Sequence, residues 1–154
     1  MKKILFLYVF ALASLSTFAQ DMVWEYKVIT TIESIVPGGL GRSRIIEAEQ
    51  EMDYNKFTSS RTDGNKNSNK SKRSDAKIDK LNETKLLNFY SMAGINFQNI
   101  ASNDALITSK LNEMSQEGWE LFNIISGVES DAGQYDGKGI FITRYIFKKQ
   151  TAKK

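Results

Sequence analysis

The chain has 154 residues, a formal net charge of +3, one proline, no histidine and no cysteine. That length predicts one domain. The two missing residue types exclude imidazole-based triads and general bases, thiolate nucleophiles, disulfides, zinc sites built on His or Cys, and iron–sulfur clusters.

Met1-Lys2-Lys3, an apolar run from Ile4 to Leu15 and the exit Ser16-Thr17-Phe18-Ala19-Gln20 read as a secretory signal peptide over residues 1–19. The apolar run is twelve residues long. A spanning helix needs about 20. Thr17 and Ala19 take the small-residue positions before a cut that leaves Gln20 first. Residues 20–154 are then one exported domain, periplasmic or extracellular, with no stable membrane span after cleavage. No cysteine lies at the cut to carry a lipoprotein-type anchor.

Ser59–Lys80 holds seven basic and three acidic residues and only Ala76 and Ile78 as weak apolar groups, which predicts a flexible basic loop at about 59–80. Four more lysines lie in the tail at 148, 149, 153 and 154. Without these two segments the mature chain holds 8 basic and 15 acidic residues, so its ordered body is acidic. Nucleic-acid binding wants a basic ordered face or basic residues interleaved with aromatics, and the loop has no aromatic residue. Nucleic acid is therefore not an expected partner.

In chain order, Trp24–Ile35 alternates with period two and is rich in β-branched residues, which predicts a strand. Trp24, Tyr26, Val28, Thr30 and Ile32 share one face, read as the core face. Pro37-Gly38-Gly39 ends it. Arg44–Tyr54 fits either period and leans towards extended chain. Lys85–Ser91 predicts a strand that pairs with it across the basic loop, and Gly94–Ile100 is undecided. A helix over Ala105–Glu117, capped by Ser102 or Asn103, carries the stripe Ile107, Leu111 and Met114. Gly118 suits a left-handed end to that helix, with Trp119 folded back on the last turn. Trp119–Ser126 lacks alternation and predicts a strand covered on both faces. Gly127–Gly139 is a turn region, and Ile140–Lys148 is a last alternating strand. The expected class is α+β: an antiparallel sheet of three to five strands with one main amphipathic helix on one face.

WEYKV at Trp24–Val28, LNEMSQEGWELF at Leu111–Phe122 and TRYIFKK at Thr143–Lys149 resemble the small bacterial family called domain of unknown function 4177. Its members join a WEYKV strand to an LNxLxxEGWEL helix–strand unit and close on a strand followed by basic residues. The resemblance spans about half of the mature chain; some 70 residues are inserted between first strand and helix. The Phe-Ala-Gln ending and the insertion are similar to exported proteins of the Bacteroidetes. The resemblance implies the fold and no activity.

Four features offer chemistry. In Pro37–Arg44, the amides of Gly38, Gly39 and Gly41 with the guanidinium groups of Arg42 and Arg44 form a candidate anion or carboxylate site, against the plainer reading of a turn with solvated arginines. Trp24 and Trp119 suit the core, with an aromatic platform for sugar or peptide as the other role. Glu129, Asp131 and Asp136 miss the spacing of a calcium loop and read as part of a glycine-rich turn. Asp104, Glu117 and Glu120 are carboxylates that nothing in the sequence brings together. The leading expectation is a noncatalytic exported domain that binds a partner protein or envelope component, with no cofactor and no metal. The alternatives are a small-anion module on the glycine–arginine loop and a hydrolase that works without histidine.

Overall fold

A computed structural model describes residues 21–34, 43–63, 65–67, 71–129 and 139–153. The leader, the glycine loop as far as Arg42, and the turn carrying Asp131 and Asp136 lie outside these residues. No helix among the described residues is long and apolar enough to cross a membrane.

The main element is a five-stranded antiparallel sheet made of β1 (Met22–Ser34), β2 (Arg44–Ala48), β5 (Leu81–Lys85), β8 (Glu120–Glu129) and β9 (Ile140–Ala152), in the order β5-β2-β1-β9-β8. Two small hairpins accompany it: β3 (Ser60–Thr62) with β4 (Asn65–Asn67), and β6 (Tyr90–Ser91) with β7 (Gly94–Ile95). A 20-residue helix, α1 (Phe97–Gln116), packs on one face, so the class is α+β. β1 and β9 pair along their whole lengths, from Met22–Ala152 to Ser34–Ile140. β2 covers β1 only between Ile29 and Ile32.

β2 and β5 do pair across the basic segment, as expected, but the second strand is Leu81–Lys85 and not Lys85–Ser91. The chain leaves the sheet after Lys85 because the main chain of Leu87 is bound elsewhere, by the side chain of Asn103. Between the two strands, Glu49 N–H donates to the carbonyl of Lys80 at 3.1 Å and closes a stem. The segment beyond it carries the β3–β4 hairpin and single 3-10 turns at Tyr54–Phe57 and Arg73–Ala76.

α1 begins two turns earlier than its apolar stripe suggests. Asn96 caps it, accepting from the Asn99 amide at 3.1 Å. Asn103, expected as a cap, lies in the helix interior and is fully buried. The C-terminus follows the expectation: Gly118 has φ +84°, its N–H reaches the carbonyl of Ser115, and Trp119 N–H reaches that of Met114, each at 3.0 Å. Gly118→Ala would place a Cβ 3.6 Å from Lys149 Cε, so the strain is in the backbone and not in crowding. We expect the substitution to cost about 1 kcal/mol in chemical denaturation, the usual penalty for a left-handed alanine.

Met114 meets Ile29, Ile45, Leu86 and Phe147 in one buried cluster, with Ile107, Leu111, Trp119 and Tyr145 around it. The face of β1 beneath the helix is therefore Lys27, Ile29, Thr31 and Glu33. This reverses the assignment of Trp24, Tyr26 and Val28 to the core: all three point away from the helix and are exposed. The helix-covered layer also holds Thr31, Glu33, Ser43, Glu47, Asn103 and Thr143, so it is as polar as it is apolar. β8 is likewise not covered on both faces. It is one of the two edge strands, and every residue in it is exposed.

Candidate interaction face

Directly paired residues in an antiparallel sheet project to the same side. The registers thus place Trp24, Tyr26, Val28 and Ile32 of β1, Ile46 of β2, Ile142 and Ile146 of β9, and Ile125 of β8 on the face opposite the helix, and its contact with Tyr26 puts Phe122 there too. Exposure is 47% at Trp24, 58% at Tyr26, 45% at Val28, 56% at Phe122 and 51% at Ile125. These five side chains alone leave on the order of 500 Å² of mostly apolar surface in water, at the upper end of what a monomer tolerates in one patch.

The aromatic end of the face is ordered by its own contacts. Tyr26 and Phe122 meet edge to face, with ring centroids 6.1 Å apart and planes at 72°. Phe122 is the extra residue of a β-bulge between Leu121 and Asn123, which turns its ring towards β1. Lys148 Nζ lies 4.7 Å from the Trp24 ring and 5.1 Å from that of Phe122, with Glu120 at 3.5 Å. The cation is held against two aromatic faces while its charge is met at the rim. Arg44 and Arg144 stand at the other end, with β1 between them. Arg44 is ion-paired to Glu83 on β5.

The sequence-based site is only partly visible. Gly38, Gly39, Gly41 and Arg42 lie outside the described residues. Arg44 is the first residue of β2, and its guanidinium is committed to a cross-sheet carboxylate. Trp119 sits partly buried beside the core, with the ammonium groups of Lys27 and Lys149 at 5.9 and 5.5 Å from its ring. Of the scattered carboxylates, Glu120 opens β8 and pairs with Lys148, Glu117 is the C-cap of α1, and Asp104 is on the exposed side of that helix.

Two buried carboxylates escaped the sequence reading, Glu33 because it lies on the β1 face opposite the one read as core and Glu47 because its segment fitted either period. Glu47 accepts from Lys27 and, at 2.7 Å, from Lys110, which also meets Glu113 at 3.1 Å. Burial opposes ionisation of Glu47, but the hydrogen bonds and charges of Lys110 and Lys27 outweigh it and hold its pKa below the ordinary range. Glu33 accepts from Asn103 Nδ2 at 2.9 Å. Burial raises its pKa, the Asn103 hydrogen bond offsets part of that, and the charge of Asp104 adds to the rise. Burial likewise raises Tyr145, with Glu33 and Asp104 contributing.

The two acids pull stability in opposite directions with pH. A lowered folded pKa stabilises above the unfolded value and is lost as pH falls; a raised one destabilises as pH climbs through the window above the unfolded value. We expect Glu47→Gln to cost roughly 1–2 kcal/mol at pH 7, from charged hydrogen bonds in a partly solvated setting. The difference from wild type should shrink as pH falls through the lowered folded pKa, and disappear once the Glu47 carboxyl is protonated in the folded chain. A series of urea titrations from pH 7 into the acid range measures it, and a loss that does not change with pH would show that Glu47 acts through packing alone.

Comparison with protein-family models, with curated proteins and with solved structures returns no match.

Proposed function

We propose that the protein is an exported, noncatalytic interaction domain that docks a partner protein on its open sheet face. The observation that carries this reading is the inversion of the sheet. The helix covers a layer rich in Lys27, Thr31, Glu33 and Glu47, while Trp24, Tyr26, Val28, Phe122 and Ile125 face water. Aromatic residues at this density, with cations at the margin, are the composition of interface cores. The buried carboxylates support a noncatalytic reading, since hydrogen bonds within the fold engage both of them. Export rests on the leader pattern at residues 1–19. The proposed kinship with domain of unknown function 4177 is supported by the way Leu111–Phe122 folds: helix, left-handed Gly118, then Trp119 leading into β8.

The test is cross-linking in intact cells followed by recovery of the protein, in wild type and in Tyr26→Glu and Ile125→Glu variants. A covalent protein partner is expected with wild type and lost with both variants. An unchanged cross-link pattern in the variants would reject the open face as the docking site. Mass spectrometry of the native product should find Gln20 at its N-terminus; a cytosolic product that retains Met1 would reject export.

A further inference from the structure

We propose that the β6–β7 hairpin and the start of α1 form an apolar tip that inserts into the acyl layer of a lipid membrane. The tip is separate from the open sheet face. Phe89 N–H donates to the Ser34 carbonyl at 3.3 Å, so the hairpin springs from the Ser34 end of β1, away from Trp24. Met92, in the turn of the hairpin, is 98% exposed, and Phe97, the first residue of α1, is 76% exposed. Ile95 is 49% exposed, and it projects to the same side as Phe97 because Asn96 between them is extended, with φ −112° and ψ 96°. Met92 and Phe97 alone leave on the order of 300 Å² of apolar side chain in water.

Charge and shape decide the occupant. In a chain that is 25% charged, no residue between Lys85 and Asp104 carries a charge. The hairpin therefore brings no ion to be desolvated, and the first turn of α1 holds no acidic residue to repel lipid phosphates. At about 3.3 Å per residue, the short strand carries Met92 about 7 Å beyond Tyr90. That matches the depth of about 5–10 Å at which apolar side chains sit in the boundary between headgroups and acyl chains. The tip is also ordered by its own bonds. Tyr90 pairs with Ile95 and Ser91 with Gly94, which takes φ +116°. The Asn96 amide donates to the Phe89 carbonyl at 2.7 Å, and the Ala93 amide donates to Ser91 Oγ at 3.2 Å. These bonds lower the cost of taking the turn out of water. A protein partner would need a pocket shaped to the projecting Met92; a fluid acyl layer needs none.

Flotation with phosphatidylcholine vesicles, which carry no net charge, tests the proposal on the protein from Gln20 onward, a length that holds every described strand. Wild type is expected to float with the vesicles at low salt and at about 0.5 M salt alike, because the contact is apolar. Met92→Glu and Phe97→Glu should each weaken binding about tenfold or more, the effect of withholding one apolar side chain from the lipid. Both should leave the far-ultraviolet circular dichroism unchanged, since neither side chain is buried. The cysteine-free chain also accepts a single reporter: Met92→Cys carrying an environment-sensitive fluorophore should shift to the blue on vesicles, and Ser74→Cys, in the turn Arg73–Ala76, should not. Wild type that does not float, a Met92 reporter that stays in water, or an equal shift at both positions overturns the tip. So does binding that Tyr26→Glu abolishes and Met92→Glu leaves intact, which would put the lipid on the open face. Binding confined to anionic vesicles and lost in salt overturns it as well, since the basic segment Ser59–Lys80 would then be the contact. Cross-linking of a protein to the open face is read separately, so failure of the tip leaves that docking reading standing.

Discussion

Replacing Phe147 by alanine should cost about 3–5 kcal/mol, the range for an aromatic side chain removed from a packed core. For a chain of this size that lowers Tm by on the order of 10–20 °C. Phe147 is 2% exposed and sits on the helix-facing side of β9, paired with Lys27 of β1 and Leu121 of β8. It is the largest apolar side chain in a buried cluster that otherwise consists of Ile29, Ile45, Leu86 and Met114. Met114 is flexible enough to fill part of the hole, which places the loss short of the maximum. Phe122→Ala is the control: the same truncation on the open face should cost less than about 1 kcal/mol in the monomer, because that ring is already half in water. Urea denaturation followed by circular dichroism measures both. Equal losses would mean that the helix is not seated over Phe147.

Asn103→Ala should cost about 3 kcal/mol although it removes no apolar surface. The Asn103 carboxamide is fully buried. Its Oδ1 accepts from Leu87 N–H at 2.8 Å, and its Nδ2 donates to the Leu87 carbonyl at 2.7 Å and to Glu33 Oε1 at 2.9 Å. Alanine leaves the buried Glu33 Oε1 and the part-buried N–H and carbonyl of Leu87 without this partner, and each such loss costs about 1 kcal/mol or more where water does not replace it. Asn103→Asp should be no better at neutral pH: the new carboxylate faces Glu33 and the Leu87 carbonyl and has no donor to offer them. Its deficit should shrink at acidic pH, where the introduced carboxyl group is protonated and regains one donor. A loss from Asn103→Ala below about 1 kcal/mol would show that water takes the place of the amide.

The alternating patterns of β1 and β9 and the C-terminal half of α1 were legible because each rests on local rules: period two, period 3.6, and a glycine that accepts positive φ. The sense of the sheet was not. Alternation says that Trp24, Tyr26 and Val28 share a side; it does not say which side meets the helix. The apolar side was the natural choice, and it is the wrong one, because Glu33 and Glu47 are made tolerable beneath the helix by Asn103, Lys27 and Lys110 from sites up to 70 residues away. The same long-range bonds hid the start of α1. Asn103 resembles a cap from its neighbours in sequence, yet its side chain is occupied by Leu87 and Glu33. Arg44 was legible as a cation but not as the partner of Glu83, which depends on the β2–β5 register across an insertion. The open face was therefore present in the sequence as a set of residues, and hidden as a surface.

The pairing of β1 with β9 bears on the order of assembly. Val28 and Ile146 are neighbours in the sheet but 118 positions apart along the chain. The β2–β5 and β8–β9 ribbons close over much shorter separations and are free to form early. The central ladder must wait until β9 has left the ribosome, so a nascent chain stays loose until that strand is made. Loss of residues 143–154 would then abolish the fold outright instead of trimming it, since β1 would lose ten of the thirteen residues of its only full-length mate.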